Sequence, residues 1–125
     1  MAEPTIVAIA TPPGRGAIGV VRLSGTQSHE IVKRLTQRTS AFEARYATLS
    51  KIYDGDELLD EGLVILFPEG ASYTGEESVE IYAHGSPYVL ERLVACCLET
   101  GAQAAGPGEF TQRAFLNGRI DLSQA

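Results

Sequence analysis

Cysteine is scarce in this 125-residue sequence, and the two cysteines that occur, Cys96 and Cys97, are adjacent. Neighbouring residues in a helix do not meet the geometry of a disulfide bond easily, so we expect two reduced thiols. The two histidines, His29 and His84, have no His or Cys near them at a spacing typical of metal ligands. The sequence therefore excludes a disulfide-stapled mini-protein and predicts no metal site.

Long apolar runs are also missing, since no stretch approaches the ~20 residues that a membrane-spanning helix requires. Residues 1–4 have neither the basic nor the apolar segment of a signal peptide. With 44% hydrophobic and 21% charged residues, a chain of this length can bury its own core. We expect one globular domain in the cytoplasm, without a membrane partner.

Basic residues become rare in the second half of the sequence. Residues 1–60 contain seven acidic and seven basic residues, whereas residues 61–125 contain nine acidic and three basic ones. A nucleic-acid groove needs Lys and Arg to neutralise phosphates. The acidic half should therefore bind RNA or DNA poorly, and most of its carboxylates are expected to lie on a solvated face.

Alternating and β-branched segments predict six strands, at 5–10, 18–23, 46–53, 57–67, 78–83 and near 102–105. A turn at Asp54 and Gly55 predicts that the third and fourth strands form a hairpin. Residues 63–67 are apolar at every position, which predicts burial on both faces. In the fifth strand, alternation places Glu80 on the face opposite to Val79.

Three helices are predicted between these strands. The first opens at a capping box formed by Ser24 and Gln27. The second has Ser86 as its N-cap and Pro87 at its first helical position, and its apolar residues follow the 3.6-residue period. The third is brief, at 107–116. The expected fold class is therefore α/β, of the α+β type, with a mixed sheet flanked by about three helices.

The last residues, 121–125, have the pattern of an N-cap and the first turn of another helix. We therefore expect the chain to be the N-terminal part of a larger protein. In this interpretation residues 1–118 form one domain and residues 119–125 begin a truncated helical domain.

Two nucleotide-binding motifs can be tested on the sequence. Gly14, Gly16 and Gly19 match the spacing of the dinucleotide fingerprint, but β-branched residues follow them where a helix should open. A Gly/Pro loop between two strands is the better interpretation. The string that holds phosphates in P-loop proteins, Gly-x-x-x-x-Gly-Lys-Ser/Thr, does not occur.

Several charged residues are candidates for a ligand site. Glu80, held on a strand, could accept two parallel hydrogen bonds from a planar donor edge, or it could be an ordinary exposed carboxylate. Arg22, Arg113 and Arg119 could fix the carboxylates of a ligand if they converge on a pocket. Otherwise they pair with surface carboxylates.

Three sequence blocks carry a resemblance to a known family. They are residues 11–19 (TPPGRGAIG) with 22–25 (RLSG), residues 73–77 (YTGEE) with Glu80, His84 and Gly85, and residues 107–125 (PGEFTQRAFLNGRIDLSQA). Together they resemble the N-terminal domain of the MnmE (TrmE) family of tRNA-modification GTPases. The match spans nearly the whole chain in the expected order.

The resemblance implies a fold related to the tetrahydrofolate-binding domain of glycine-cleavage T-proteins. Such a domain forms a homodimer and binds a reduced folate, 5-formyl- or methylene-tetrahydrofolate, as the one-carbon donor. The full-length protein would add a helical domain with a G domain that uses GTP, magnesium and potassium. With the FAD-dependent protein MnmG it would modify C5 of the wobble uridine, position 34, of tRNA.

The resemblance also implies roles for individual residues. Arg22, Glu80 and Arg119 fall on the family's folate contacts, with Glu80 assigned to the pterin ring and the two arginines to the glutamyl tail. The family's catalytic cysteine lies outside these residues, and Cys96 and Cys97 do not match it. This domain alone is therefore predicted to contain no catalytic residue and no GTPase activity.

Two other functions stay open from the sequence. The domain could be a ligand-free module that only dimerises a larger protein. It could also be a small acid–base enzyme that uses Glu80 and His84.

Overall fold

A computed structural model describes residues 3–11 and 16–118 of the chain. In chain order their elements are β1 (Ile6–Ile9), β2 (Ile18–Ser24), α1 (Ser28–Leu35), β3 (Thr48–Asp54), β4 (Glu57–Phe67), β5 (Ser78–His84), α2 (Pro87–Glu99), β6 (Gln103–Ala104) and α3 (Glu109–Leu116). The predicted α/β fold with a mixed sheet and three helices is confirmed. No helix in the described ranges is long and apolar enough to cross a membrane.

The six strands form one sheet in the order β3-β4-β5-β2-β1-β6. Neighbouring strands run antiparallel except β1 and β6, which are parallel. The predicted hairpin joins β3 to β4, and Gly55 in its turn has a φ of +63°, a conformation that favours glycine. Strands β2 and β5 lie next to each other in the middle of the sheet.

One face of the sheet is covered by α1 and α2 and forms the core. The alternation predicted for β5 is confirmed, because Val79 and Ile81 are fully buried there while Glu80 points to the other face. The buried core residues include Val7, Val21, Leu23, Ile31, Val32, Ile52, Val64, Val79, Ile81, Leu90 and Leu93. Within residues 3–11 and 16–118, the opposite face carries no such cover along much of β2, β4 and β5, and its side chains are half-buried or exposed.

Both cysteines belong to the core, as free thiols on α2. Burial raises the pKa of the Cys97 thiol to about 12, so it stays protonated and behaves as a small apolar side chain. Within the described residues, no group of three or more His, Cys, Asp or Glu side chains is arranged to hold a metal ion.

The predicted capping box at the first helix is wrong. Helix α1 begins at Ser28, and Gln27 at its N-cap position makes no side-chain capping bond. Ser24 is instead the last residue of β2, where its buried hydroxyl bonds to Thr74 and Glu76. A residue far away in the sequence binds the start of the helix instead. The Glu77 carboxylate accepts a hydrogen bond of 3.3 Å from the His29 N–H.

The prediction that residues 63–67 are buried on both faces is also wrong. Val64 and Leu66 are buried in the core, but Leu63 on the other face is 41% exposed. Leu63 belongs instead to a hydrophobic patch on the uncovered face. Ile18 and Leu49, each 63% exposed, complete this outer patch with Leu63.

Gly19 lies inside β2, and no helix begins before Ser28 among the residues that the structure describes. The dinucleotide-fingerprint interpretation therefore fails on structure as it did on sequence. The glycine allows close packing of α2, since a Cβ atom would lie 2.4 Å from the end of the Leu90 side chain, which would have to move.

Gly62 is the glycine on which the β4–β5 pairing depends. A Cβ atom there would lie 2.3 Å from the backbone oxygen of Tyr82. We expect Gly62→Ala to lower the free energy of unfolding by about 3 kcal/mol, because the strands must separate to admit the methyl group. Urea unfolding followed by circular dichroism measures this loss.

Gly106→Ala is the matched control, because the nearest atom to its Cβ would be the Glu109 Oε1 at 3.7 Å. It should leave stability within about 0.5 kcal/mol of the parent. Equal stability of the two variants would contradict the close approach of β4 and β5.

Candidate functional site

The candidate site is built on the uncovered face of the sheet, where Arg22 of β2 lies directly opposite Glu80 of β5. The Arg22 Nε donates a hydrogen bond of 2.9 Å to Glu80 Oε2, and Nη2 lies 2.9 Å from the same oxygen. The side chains are 27% and 14% exposed. Both positions were predicted as site residues, and the antiparallel register brings them together.

Tyr82 holds the other oxygen of this carboxylate. It lies two residues after Glu80 on the same face of β5, and its hydroxyl donates a hydrogen bond of 2.6 Å to Oε1. That bond, with burial, raises the pKa of the Tyr82 phenol to about 12, so it remains a donor at neutral pH. Glu80 is therefore fixed from two sides.

Two aromatic rings flank the Arg22 guanidinium. Its Cζ atom lies 5.7 Å from the ring centre of Tyr73 and 5.7 Å from that of Phe110, within the range of a cation–π contact. The Tyr73 hydroxyl lies 3.1 Å from the hydroxyl of Thr111 on α3. A planar ligand would find both apolar faces and charged groups here.

A cavity of about 180 Å³ opens beside this pair. Its walls are Arg22, Phe67, Ala71, Ser72, Tyr73, Ser78 and Glu80. The lining thus combines one cation, one anion, three hydroxyls and the rings of Phe67 and Tyr73. Such a mixture of apolar surface with a few convergent polar groups is typical of small-molecule sites.

A buried ion pair attaches α3 and the 70–77 loop to the site. Arg113 of α3 is only 5% exposed, and its Nη1 donates to Glu76 Oε1 at 3.0 Å while Nη2 donates to Glu109 Oε2 at 2.9 Å. The Glu76 carboxylate also accepts the Ser24 hydroxyl at 2.8 Å. Arg113 thereby fixes the two segments that carry the Tyr73 and Phe110 rings.

The predicted arginines thus have different outcomes. Arg22 lies in the cavity wall. Arg113, which sequence reasoning offered as a ligand contact if the arginines converged, is turned away into its pairing with Glu76 and Glu109. Arg119, the third residue predicted to bind folate, lies outside the described residues.

Sequence reasoning missed Tyr82, Tyr73 and Phe110. Tyr82 could have been found, because a strand places residues i and i+2 on one face and Glu80 was already assigned there. Tyr73 lies in a loop and Phe110 on a short helix, so no periodic pattern in the sequence points either ring toward Arg22.

The structure does not join Glu80 to His84. The imidazole Nδ1 lies 2.7 Å from Asp60 Oδ1, and the His84 N–H donates to Oδ2 of the same carboxylate. Burial opposes ionisation of Asp60, but these hydrogen bonds outweigh it and lower its pKa. Four residues along a strand separate Glu80 from His84 by roughly 13 Å, so the pair predicted for an acid–base enzyme is not assembled.

Comparison with known proteins gives one consistent family. The sequence model of the family described as GTP-binding protein TrmE N-terminus matches residues 5–119. This chain belongs to that family. The prediction drawn from the three sequence blocks is confirmed.

Relatives agree with the family match. The tRNA modification GTPase MnmE of Francisella tularensis subsp. holarctica (strain OSU18) is 50% identical over 121 residues. The proteins of the same name from Francisella philomiragia subsp. philomiragia and from Francisella tularensis subsp. novicida (strain U112) are 50% and 49% identical. Each alignment covers 97% of this chain and 26% of the relative, so the chain spans about a quarter of their length.

Arg113→Met tests the buried ion pair that attaches α3. The substitution keeps much of the aliphatic side chain but leaves Glu76 without its buried cation. We expect a loss of about 3 kcal/mol in the free energy of unfolding, because an uncompensated carboxylate remains against the sheet. Denaturant unfolding provides the measurement.

Arg34→Met, on the exposed side of α1, is the control and should change stability by less than about 0.5 kcal/mol. A similar small change in both variants would refute the structural role of Arg113.

Proposed function

We propose that this domain binds a reduced folate, in the form of 5-formyl- or methylene-tetrahydrofolate, on the uncovered face of its sheet. The proposal is supported by family membership and by one observation of the site. A carboxylate and a guanidinium on two central strands line one small cavity with the rings of Phe67 and Tyr73, and the Phe110 ring flanks the guanidinium. These are the chemical groups that a folate requires.

Glu80 suits the ring end of the ligand. A pterin presents adjacent N–H donors along its amino-pyrimidinone edge, and a carboxylate can accept two parallel hydrogen bonds from them. Because Tyr82 fixes one carboxylate oxygen at 2.6 Å, the acceptor is already oriented before the ligand arrives. Preorganisation of this kind lowers the entropic cost of binding.

Arg22 is proposed to attract the anionic end of the ligand by its charge, since its contact with Glu80 at 2.9 Å keeps it beside the ring end. A guanidinium matches the geometry of a carboxylate better than an ammonium does, and the glutamyl tail of folate carries carboxylates. Arg119 is proposed to assist it by charge. The cavity of about 180 Å³ is smaller than the ~300–1,000 Å³ of pockets that enclose drug-sized ligands. It therefore suits the bicyclic ring, with the tail lying outside.

The outer patch is proposed to serve homodimerisation. Ile18, Leu49 and Leu63 line a second cavity, of about 230 Å³, on the same face of the sheet. Exposed apolar groups that cluster in this way are typical of interaction sites. A second copy docked there would also cover a ligand tail that leaves the ring cavity.

The wider proposal concerns the longer protein. We propose that the domain is the N-terminal, one-carbon-binding part of a cytoplasmic tRNA modification GTPase, with a fold related to the glycine-cleavage T-proteins. In that protein, other domains would bind GTP, magnesium and potassium, and the partner would be the FAD-dependent MnmG. The acidic charge of this domain argues that other parts contact the tRNA.

Titration with 5-formyl-tetrahydrofolate tests the folate proposal. We expect saturable binding to the 125-residue chain, measured by calorimetry or fluorescence. Glu80→Ala should weaken it about a hundredfold, because two charge-assisted hydrogen bonds contribute on the order of 3 kcal/mol. Glu91→Ala, an exposed carboxylate on α2, should leave the affinity unchanged.

Absence of saturable binding at high micromolar concentration would overturn the proposal, and so would unchanged affinity in Glu80→Ala. If the chain self-associates but does not bind folate, the ligand-free dimerisation module becomes the better interpretation.

Leu49→Glu tests the outer patch as a dimer interface. A charge placed in a desolvated apolar contact should weaken self-association by at least about tenfold in sedimentation equilibrium. Leu58→Glu is the control, because Leu58 is 53% exposed near the turn of the same hairpin and lies outside the outer patch. Equal dimerisation of both variants would place the interface elsewhere.

A further inference from the structure

His84 lies at the edge of the outer patch and has no part in the proposed folate site. It is the last residue of β5, directly opposite Ile18 of β2, and its side chain is 75% exposed. Its imidazole lines the cavity of about 230 Å³ that Ile18, Leu49 and Leu63 also line. The sequence has one other histidine, His29, which lies on α1 and so belongs to the opposite side of the sheet. An apolar surface thus has one imidazole at its border.

Asp60 holds this imidazole in place. Its carboxylate, 10% exposed, accepts the His84 backbone N–H at 2.9 Å and lies 2.7 Å from the imidazole Nδ1. The register of β3 and β4 shifts at Leu59, and such a bulge re-aims the neighbouring side chain. Burial opposes ionisation of Asp60, but the hydrogen bonds from His84 lower its pKa. An ionised carboxylate only accepts, so Nδ1 keeps its proton and Nε2 is the nitrogen that titrates.

The other charged groups at this edge lie on the neighbouring strands. Glu61 of β4 lines the same cavity as His84, and Lys51 of β3 lies opposite Glu61 in the register. Tyr82 also lines the cavity but stays neutral, because its pKa is raised to about 12. With a neutral imidazole, two carboxylates and one ammonium leave one net negative charge here among the described residues. With a protonated imidazole, the charges of Asp60, Glu61, Lys51 and His84 cancel.

Two copies that meet through the outer patch would remove this edge from water. A homodimer interface with two-fold symmetry brings the same patch, and therefore the same net charge, from each copy. Protonation of His84 converts Asp60 from a lone carboxylate into one half of a hydrogen-bonded ion pair. Burying an unpaired charge costs more than burying a paired one. Desolvation of the imidazolium itself acts in the opposite direction, but its anionic partner is already in contact with it.

We propose that association of two copies through the outer patch takes up one proton at each His84, so that the homodimer tightens in acid. This inference rests on the proposed function, in which the outer patch is the dimer interface. Association makes the imidazole a stronger base, and by linkage protons strengthen association to the same extent. The gain is therefore complete below the pH at which the imidazole of the free chain titrates, and it is lost as the pH rises through the higher value in the dimer.

Sedimentation equilibrium of the 125-residue chain at two pH values and constant ionic strength tests this linkage. Because imidazoles ordinarily titrate at about pH 6.5, the comparison is made at about pH 6 and about pH 8. We expect the dissociation constant to be at least about tenfold lower at the acid pH, since a rise of one pKa unit in either copy already corresponds to a factor of ten. His84→Asn keeps an N–H donor for Asp60 but does not titrate. Its dissociation constant should match that of the parent at the alkaline pH and stay unchanged in acid.

Two further variants separate the linkage from other effects of acid. Asp60→Asn removes the anion that makes a buried imidazolium acceptable, so the gain in acid should disappear. His29→Gln is the matched control, because the glutamine side-chain oxygen can replace the His29 Nε2 that accepts the Phe42 N–H at 3.1 Å. It should retain the pH dependence of the parent. Thermal melts at both pH values check that each variant is folded.

The outcomes distinguish this inference from the proposed function. If the parent stays monomeric at both pH values, the proposed interface fails and the linkage fails with it. If the parent dimerises and Leu49→Glu disrupts the dimer, but the affinity is equal at both pH values, only the linkage is refuted. A pH dependence that persists in His84→Asn or is lost in His29→Gln refutes the assignment of the proton to His84.

Discussion

The ion pair between Arg22 and Glu80 joins the two central strands of the sheet on the face that α1 and α2 leave uncovered. Its position follows from the two-residue period of a strand. Val21 and Leu23 on β2 must be buried in the core, so Arg22 between them has to face outward. The same constraint on β5 sends Glu80 outward between Val79 and Ile81. Core formation and site formation are therefore two results of one alternation.

Much of the fold was predictable because periodicity and turn residues are local signals. The hairpin at Gly55, the Pro87 start of α2 and the alternation around Glu80 all follow from a few adjacent residues. The sequence predictions were wrong where a contact with a residue far away in the chain determines the local structure. Ser24 has the spacing of a helix cap, but β2 extends through it and its hydroxyl meets Thr74, fifty residues away in the chain. A rule based on neighbouring residues cannot predict that contact.

The acidic second half of the sequence shows that contacts between distant residues limit the prediction of the site as well. Composition predicts a solvated face, yet four of its carboxylates have defined partners: Glu76 and Glu109 with Arg113, Glu77 with the start of α1, and Glu80 with Arg22. The family resemblance predicted that Arg22 and Glu80 are site residues. It could not predict that they satisfy each other, because strand order and register are properties of the assembled sheet.

These ion pairs also explain how a polar site can keep a fixed geometry. Arg113 is almost fully buried and bonds to both Glu76 and Glu109, so the segments bearing Tyr73 and Phe110 are anchored by charge as well as by packing. A buried cation with two anionic partners is costly to rearrange, since removing either partner leaves charge uncompensated. Arg22 has one anionic partner among the described residues and remains partly exposed. The protein thus buries one arginine between two carboxylates and leaves the other in the cavity wall, where a ligand can reach it.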